Sequence, residues 1–290
     1  MDAIKEALEE WLREILTSGI MENLNGLFDQ VNQKVGEIAD HVGSTPQDWN
    51  ASIFNMVKSL SDNVMVPIAA VILAFVMTLE LIQMVIERNN FHGDVDTFAF
   101  FKWVFKTAGA VLIVTNTWNI VMGVFDLGQE VINNASGVVI GDTTIDMAEI
   151  LGDIESKLDA LSVGALIGLW MQSGIVKICM WILQICILVV TFGRMIEIYL
   201  VTSVAPIPMA TMTSKESGNM GQNYIRSLFA LAFQAFLIMV CVAIYAALVE
   251  NIAVTDDISY AIWTCMGYTV LLCFSLFKTG SLSKSIFNAH

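Results

Sequence analysis

Three ionisable side chains stand inside long apolar stretches of the chain: Glu80, Arg194 and Glu197. A charge at the centre of a membrane helix costs about 2.5–3.5 kcal/mol on insertion scales, so each needs a partner, an aqueous path or a route to the interface. Arg194 and Glu197 are three residues apart and share a helix face. Two arrangements satisfy the group. Either Arg194 and Glu197 pair locally and snorkel to the nearer interface, or Glu80 bonds Arg194 between two spans and fixes their packing or lines an aqueous path. A second set is uncharged: Thr115, Asn116, Thr117 and Asn119 form a polar island suited to lining a wide path without holding an anion. A third is Ala205-Pro206-Ile207-Pro208. Each proline lacks a backbone donor and pushes its predecessor out of the α region, so Pro206 and Pro208 are expected to form a non-helical corner, a hinge or docking point. Other reactive types are scattered. Cys179, Cys186, Cys241, Cys265 and Cys273 lie in apolar runs without metal-ligand spacing, and His41, His92 and His290 are far apart. No nucleophile–base arrangement is visible, so no enzyme activity, cofactor or metal is expected.

The elements that must position these residues are membrane helices. The 290 residues are 56% hydrophobic and 14% charged, with mean hydropathy +0.68, too apolar for an ordinary soluble domain. A hydrocarbon core of about 30 Å takes roughly 20 helical residues to cross. Runs at 64–86, 98–125, 175–204, 228–249 and 260–277 meet or approach that length. They predict an all-α polytopic protein with five spans, in which residues 1–62 form an amphipathic helical region and 63–290 the membrane domain.

In the first region Ile4, Leu8, Leu12 (with Trp11) and Ile15 make one apolar stripe, and Leu24, Leu27, Phe28, Val31, Val35 and Ile38 a second. Gly19 and Gly43 read as breaks. The stripes face either the chain's own membrane domain or neighbouring subunits. Thr45-Pro46-Gln47-Asp48 reads as a capped helix start. No signal-peptide pattern opens the sequence, so the first span is expected to direct insertion. Residues 126–160 are acidic with Lys157 as their one base. Within them Thr143 to Asp146 reads as a helix start, and Met147, Ile150, Ile154, Leu158 and Leu161 as the apolar face of a helix lying against protein.

Arg88, Lys102, Lys106, Lys215, Arg226, Lys278 and Lys284 collect on one set of span ends, while the long loop on the other side offers Lys157. Cytoplasmic loops are enriched in bases, which places the N-terminus outside and the C-terminus in the cytoplasm. The formal net charge of −14 argues against direct tight nucleic-acid binding, which needs Lys and Arg against phosphates. A secondary transporter or small-solute channel using Glu80, Arg194 and Glu197 is the alternative on these residues, although no duplicated half with a second broken helix is visible.

The segment Arg194-Met-Ile-Glu-Ile-Tyr-Leu-Val-Thr-Ser-Val-Ala-Pro-Ile-Pro-Met-Ala, followed by Gly221-Gln-Asn-Tyr-Ile-Arg-Ser-Leu-Phe-Ala, resembles the signature region of the TrbL-like polytopic subunit of type IV secretion systems. The version on conjugative elements of Gram-positive bacteria is the one it resembles most. That resemblance implies a non-enzymatic subunit of a conjugation machine in the bacterial cytoplasmic (inner) membrane. It also implies a ring-like homo-oligomer, a pentamer being the form the family suggests, at the translocation path for DNA or protein. The implied partners are other secretion subunits, cytoplasmic ATPases and membrane lipids. The resemblance assigns no chemical role to any single residue.

Overall fold

The computed structural model describes residues 2–88, 97–139, 147–252 and 257–289. The expected helix start at Thr143–Asp146 lies outside the described residues, as do the side chains of Leu27, Phe28, Val31, Val35 and Ile38. All regular structure among the described residues is helical: α1 (Asp2–Gly43), α2 (Pro46–Trp49), α3 (Ala51–Leu60), α4 (Val66–Arg88), α5 (Thr97–Thr115), α6 (Thr117–Val139), α7 (Met147–Asp159), α8 (Val163–Ser203), α9 (Pro206–Thr211), α10 (Gly218–Ile252) and α11 (Ile258–Ile286). One π turn, Ser61–Met65, joins α3 to α4. Among the described residues five stretches are long and apolar enough to cross a membrane: Ala51–Ile86, Phe98–Thr115, Val163–Ser203, Gly218–Val249 and Ile258–Ile286. The chain is an all-α, multi-pass membrane protein.

Several elements differ from the sequence reading, each for a local reason. Gly19 does not end a helix. It sits inside α1, where a Cβ would fall 2.8 Å from Nε1 of Trp170, so its missing side chain admits an indole. Thr45 caps α2 by accepting from Asp48 N at 3.2 Å, but the helix stops after Trp49, and Asn50 starts α3 by accepting from Ile53 N at 3.0 Å. The apolar run 98–125 is two helices that meet at Asn116. There Thr115, Asn116 and Thr117 each bond back to carbonyls of the preceding turn, at 2.9–3.2 Å. Such back-bonding competes with the backbone ladder and bends helices. The small-residue stretch before Ile175 is already helical, as the first turns of α8.

The described residues divide into two compact units, Met1–Val42, Asn133–Phe192 and Leu237–Thr279 in the first, Gly43–Ile132, Gly193–Phe236 and Gly280–His290 in the second. In the first, Arg13 Nη1 donates to the carbonyls of Asp159 and Leu161 at 2.8 and 2.6 Å, which caps the end of α7 with a guanidinium. Asn23 donates to Ser173 Oγ at 3.0 Å and accepts from Lys177 Nζ at 3.1 Å. Gln172 Oε1 accepts from Ser259 and Trp263, and the hydroxyls of Tyr245 and Thr269 bond at 2.7 Å. Leu16, Ile20 and Leu24 are the buried face of α1, whereas Ile4, Leu8, Trp11 and Ile15 are exposed. Of the stripe picked out by the sequence pattern, Leu12 is half-buried, and Ile4, Leu8, Trp11 and Ile15 are left uncovered by the described residues.

Apolar clusters among the described residues hold the second unit together. Val121, Val124 and Phe125 of α6 pack with Met195 and Ile198 of α8, Met209 of α9 and Leu228 and Leu231 of α10. Ala69, Leu73, Val76 and Met77 of α4 pack with Ala110 and Val114 of α5 and Ala210 of α9. Phe54 and Val57 of α3 pack with Trp118 and Tyr199, the Phe54 and Trp118 rings meeting edge to face at 5.2 Å. The six-residue helix α9 thus supplies side chains to two of these clusters.

Candidate functional site

The proline corner is built differently from expectation. Ala205-Pro206-Ile207-Pro208 is not a non-helical turn: α8 ends at Ser203, and after Val204 and Ala205 the chain re-enters a helix with Pro206 at its first position. A proline in a first helical turn removes a donor that has no intrahelical partner anyway, and its fixed φ suits the helix. The corner is tightened by three-residue bonds, Ala205 N to the Thr202 carbonyl at 3.3 Å and Ile207 N to the Val204 carbonyl at 3.1 Å. Pro206, Met209, Ala210 and Thr211 are buried. A free hinge would not bury two thirds of a helix, so the corner is a wedge.

The start of α10 is shaped to receive that wedge. A Cβ at Gly221 would lie 2.6 Å from the Pro208 carbonyl oxygen and 2.7 Å from Met212 Cα, so α10 starts against the backbone of α9 and its exit. Two tyrosines lock the same region. Tyr199 donates to the Pro46 carbonyl at 2.5 Å and stacks at a tilt on Trp49, and Tyr224 donates to the Val201 carbonyl at 3.0 Å. Thr202 and Ser203 bond back to Tyr199 and Leu200 carbonyls, so the last turn of α8 leaves few polar atoms unmet. Sequence reasoning alone does not single out Gly221, Tyr199 or Tyr224 as agents. The signal that could have found them is a glycine and two aromatic hydroxyls close in sequence to a double proline.

The charges divide into three separate places. Glu80 of α4 bonds Lys106 of α5 through both carboxylate oxygens, at 2.6 and 2.7 Å, and Oε1 also accepts from the Lys215 backbone N–H at 2.9 Å. Glu197 bonds Lys284 at 2.9 Å, with both side chains about two-fifths exposed. Pairs that open to their surroundings contribute only about 0–1 kcal/mol in water. Arg194 has neither glutamate. It is 7% exposed, its Nη1 lies 3.9 Å from Met195 Sδ, and its Nε has no hydrogen-bond partner. Beside it is a void of about 10 Å³ bordered by Thr45, Phe125, Gly128, Gln129 and Ala232, room for one water at most. Neither expected pairing of Arg194 forms. Glu197 faces Lys284 from α11, and the short connection between α4 and α5 delivers Lys106 to Glu80 first.

The polar island divides by burial. Thr117 is buried and donates to carbonyls in the last turn of α5, while Thr115, Asn116 and Asn119 are exposed. Among the described residues no group of His, Cys, Asp and Glu is placed to hold a metal ion.

Between α4, α5 and the Thr213–Ser217 connector lies a cavity of about 310 Å³. Glu80, Gln83, Lys102, Trp103, Lys106 and Lys215 line it together with Met84 and Ala99. Lys102 and Lys106 share a face of α5 by their spacing of four, with Trp103 beside them donating to the Met77 carbonyl at 3.1 Å. Gln83 donates to Glu216 at 2.6 Å, which ties the connector to α4 a second time.

A family model described as TrbL/VirB6 plasmid conjugal transfer like protein matches residues 31–206, more than half of the chain. The match takes in Glu80, the polar island, Arg194, Glu197 and the corner as far as Pro206, and stops short of Gly221. No curated protein and no solved structure matches the chain.

Proposed function

We propose, because this chain belongs to the TrbL/VirB6 plasmid conjugal transfer family, that it is a non-enzymatic channel or scaffold subunit of a type IV secretion machine, forming a ring-like homo-oligomer around or beneath the path taken by DNA or protein. The family match is the observation that carries this reading. Assembly is supported by α1, which is outside the five apolar spans yet exposes Ile4, Leu8, Trp11 and Ile15 along one line. A stripe of that kind outside the bilayer calls for a protein cover. Other secretion subunits and cytoplasmic ATPases are the partners in this reading, and the membrane is the bacterial inner one.

The transporter alternative, using Glu80, Arg194 and Glu197, draws less support from these residues, because Glu80 and Glu197 bond different lysines and Arg194 bonds neither glutamate. Deleting the coding sequence in frame from its conjugative element is expected to reduce transfer to recipients by orders of magnitude, with recovery on expression in trans. Undiminished transfer by the deletion strain would sink the proposed role.

The basic residues at one set of span ends support an outside N-terminus. In a background without the five native cysteines, a cysteine at Ser136 is expected to react with an impermeant thiol reagent added to intact cells, and one at Ser217 only after permeabilisation. The opposite pattern reverses the orientation.

A further inference from the structure

We propose that the cavity between α4, α5 and the Thr213–Ser217 connector binds the phosphodiester of an anionic phospholipid, with Lys102 and Lys215 as the phosphate donors. Three lysines line this space against one carboxylate. That carboxylate is committed, since Glu80 already receives the Lys106 ammonium on both oxygens and the Lys215 N–H on one. The Lys102 and Lys215 ammonium groups are exposed and make no ion pair among the described residues. The cavity therefore presents two lysines without an ion pair around a built one, while the neighbouring Glu216 carboxylate, outside the lining, accepts from Gln83. Its volume of about 310 Å³ is enough for a phosphate with a small polar headgroup.

Position selects a lipid over a soluble phosphate. The lining comes from the last turns of one span, the first turns of the next and the connector after α9, so it is at the boundary of the membrane. Trp103, whose indole N–H is bonded to a main-chain carbonyl, is of the type enriched at that boundary. On the same helix Phe98, Phe101 and Phe105 are 76%, 64% and 83% exposed. A free phosphate has no use for those rings, whereas acyl chains hanging from a phosphate at Lys102 would run along them. Basic recesses between transmembrane helices are where acidic headgroups settle.

The test uses full-length protein in a detergent with an uncharged headgroup, examined by native mass spectrometry and thermal unfolding. Phosphatidylglycerol is expected to remain bound as one adduct per chain and to raise the melting temperature by several degrees. Phosphatidylcholine and inorganic phosphate at equal concentration are expected to do neither. The double variant Lys102→Gln/Lys215→Gln, which leaves the Glu80–Lys106 pair intact, is expected to weaken phosphatidylglycerol retention about tenfold without changing the unliganded melting temperature. Equal retention of phosphatidylcholine, or wild-type retention by the double variant, would overturn the site. Protection by inorganic phosphate alone would overturn its assignment to lipid. If the double variant proves less stable unliganded, Lys102→Arg/Lys215→Arg must keep the adduct for the proposal to stand.

Discussion

Gly221→Ala is expected to destabilise the protein by about 3 kcal/mol, the upper part of the range for forcing a methyl group into filled space. The new Cβ would meet the Pro208 carbonyl oxygen at 2.6 Å and the Met212 backbone at 2.7 Å. Neither can swing away as a side chain would. Relief needs α10 to lift from α9, and α9 holds Met209 against Leu228's cluster and Ala210 against Ala69's. The penalty therefore spreads into two cores. Gly109→Ala in α5 is the control, since nothing lies within 4 Å of its added Cβ. Helix propensity alone would make that change neutral or stabilising by up to about 1 kcal/mol. Thermal unfolding in detergent separates the two, and equal melting temperatures for both variants would contradict the tight α9–α10 approach.

Arg194→Met is expected to act in the opposite direction and raise the melting temperature. An uncompensated buried charge carries a desolvation penalty of roughly several kcal/mol, which an apolar side chain of similar length removes. The reason is specific here: Arg194 is 7% exposed, has an unmet Nε and, among the described residues, pairs with no carboxylate. Phe125, Ile198 and Ala232 give it apolar neighbours beside Thr45 and Gln129. A more stable variant that no longer supports transfer would mark Arg194 as a group kept for assembly or for the passage of cargo. A loss of stability beyond about 1 kcal/mol would mean that the guanidinium is bonded after all, against the geometry described.

The helical class and the five apolar stretches are legible in the sequence because length and hydropathy alone decide them. The charge partners are not. Glu80 lies eight residues before the end of α4 and Lys106 nine after the start of α5, so two antiparallel spans with a short connection bring them level. That symmetry is present in the sequence, but the opposite charges of Glu80 and Arg194 suggest a more distant pair. Lys284 meeting Glu197 depends on α8 and α11 being neighbours, which no local pattern encodes. The corner's location is legible and its conformation is not, since the rule against proline in helices does not bind in a first turn. The break at Asn116 illustrates the limit of hydropathy: Thr and Asn side chains that bond carbonyls of the preceding turn barely lower it, yet the run divides into two helices there. The π turn at Ser61–Met65 leaves no compositional trace at all.

The proposed ring stands or falls on the symmetry of the purified particle. Electron microscopy of the full chain in lipid nanodiscs is predicted to show a closed ring of identical subunits, with the line of Ile4, Leu8, Trp11 and Ile15 buried between neighbours. A monodisperse monomer in lipid, with that line still exposed, would contradict the ring.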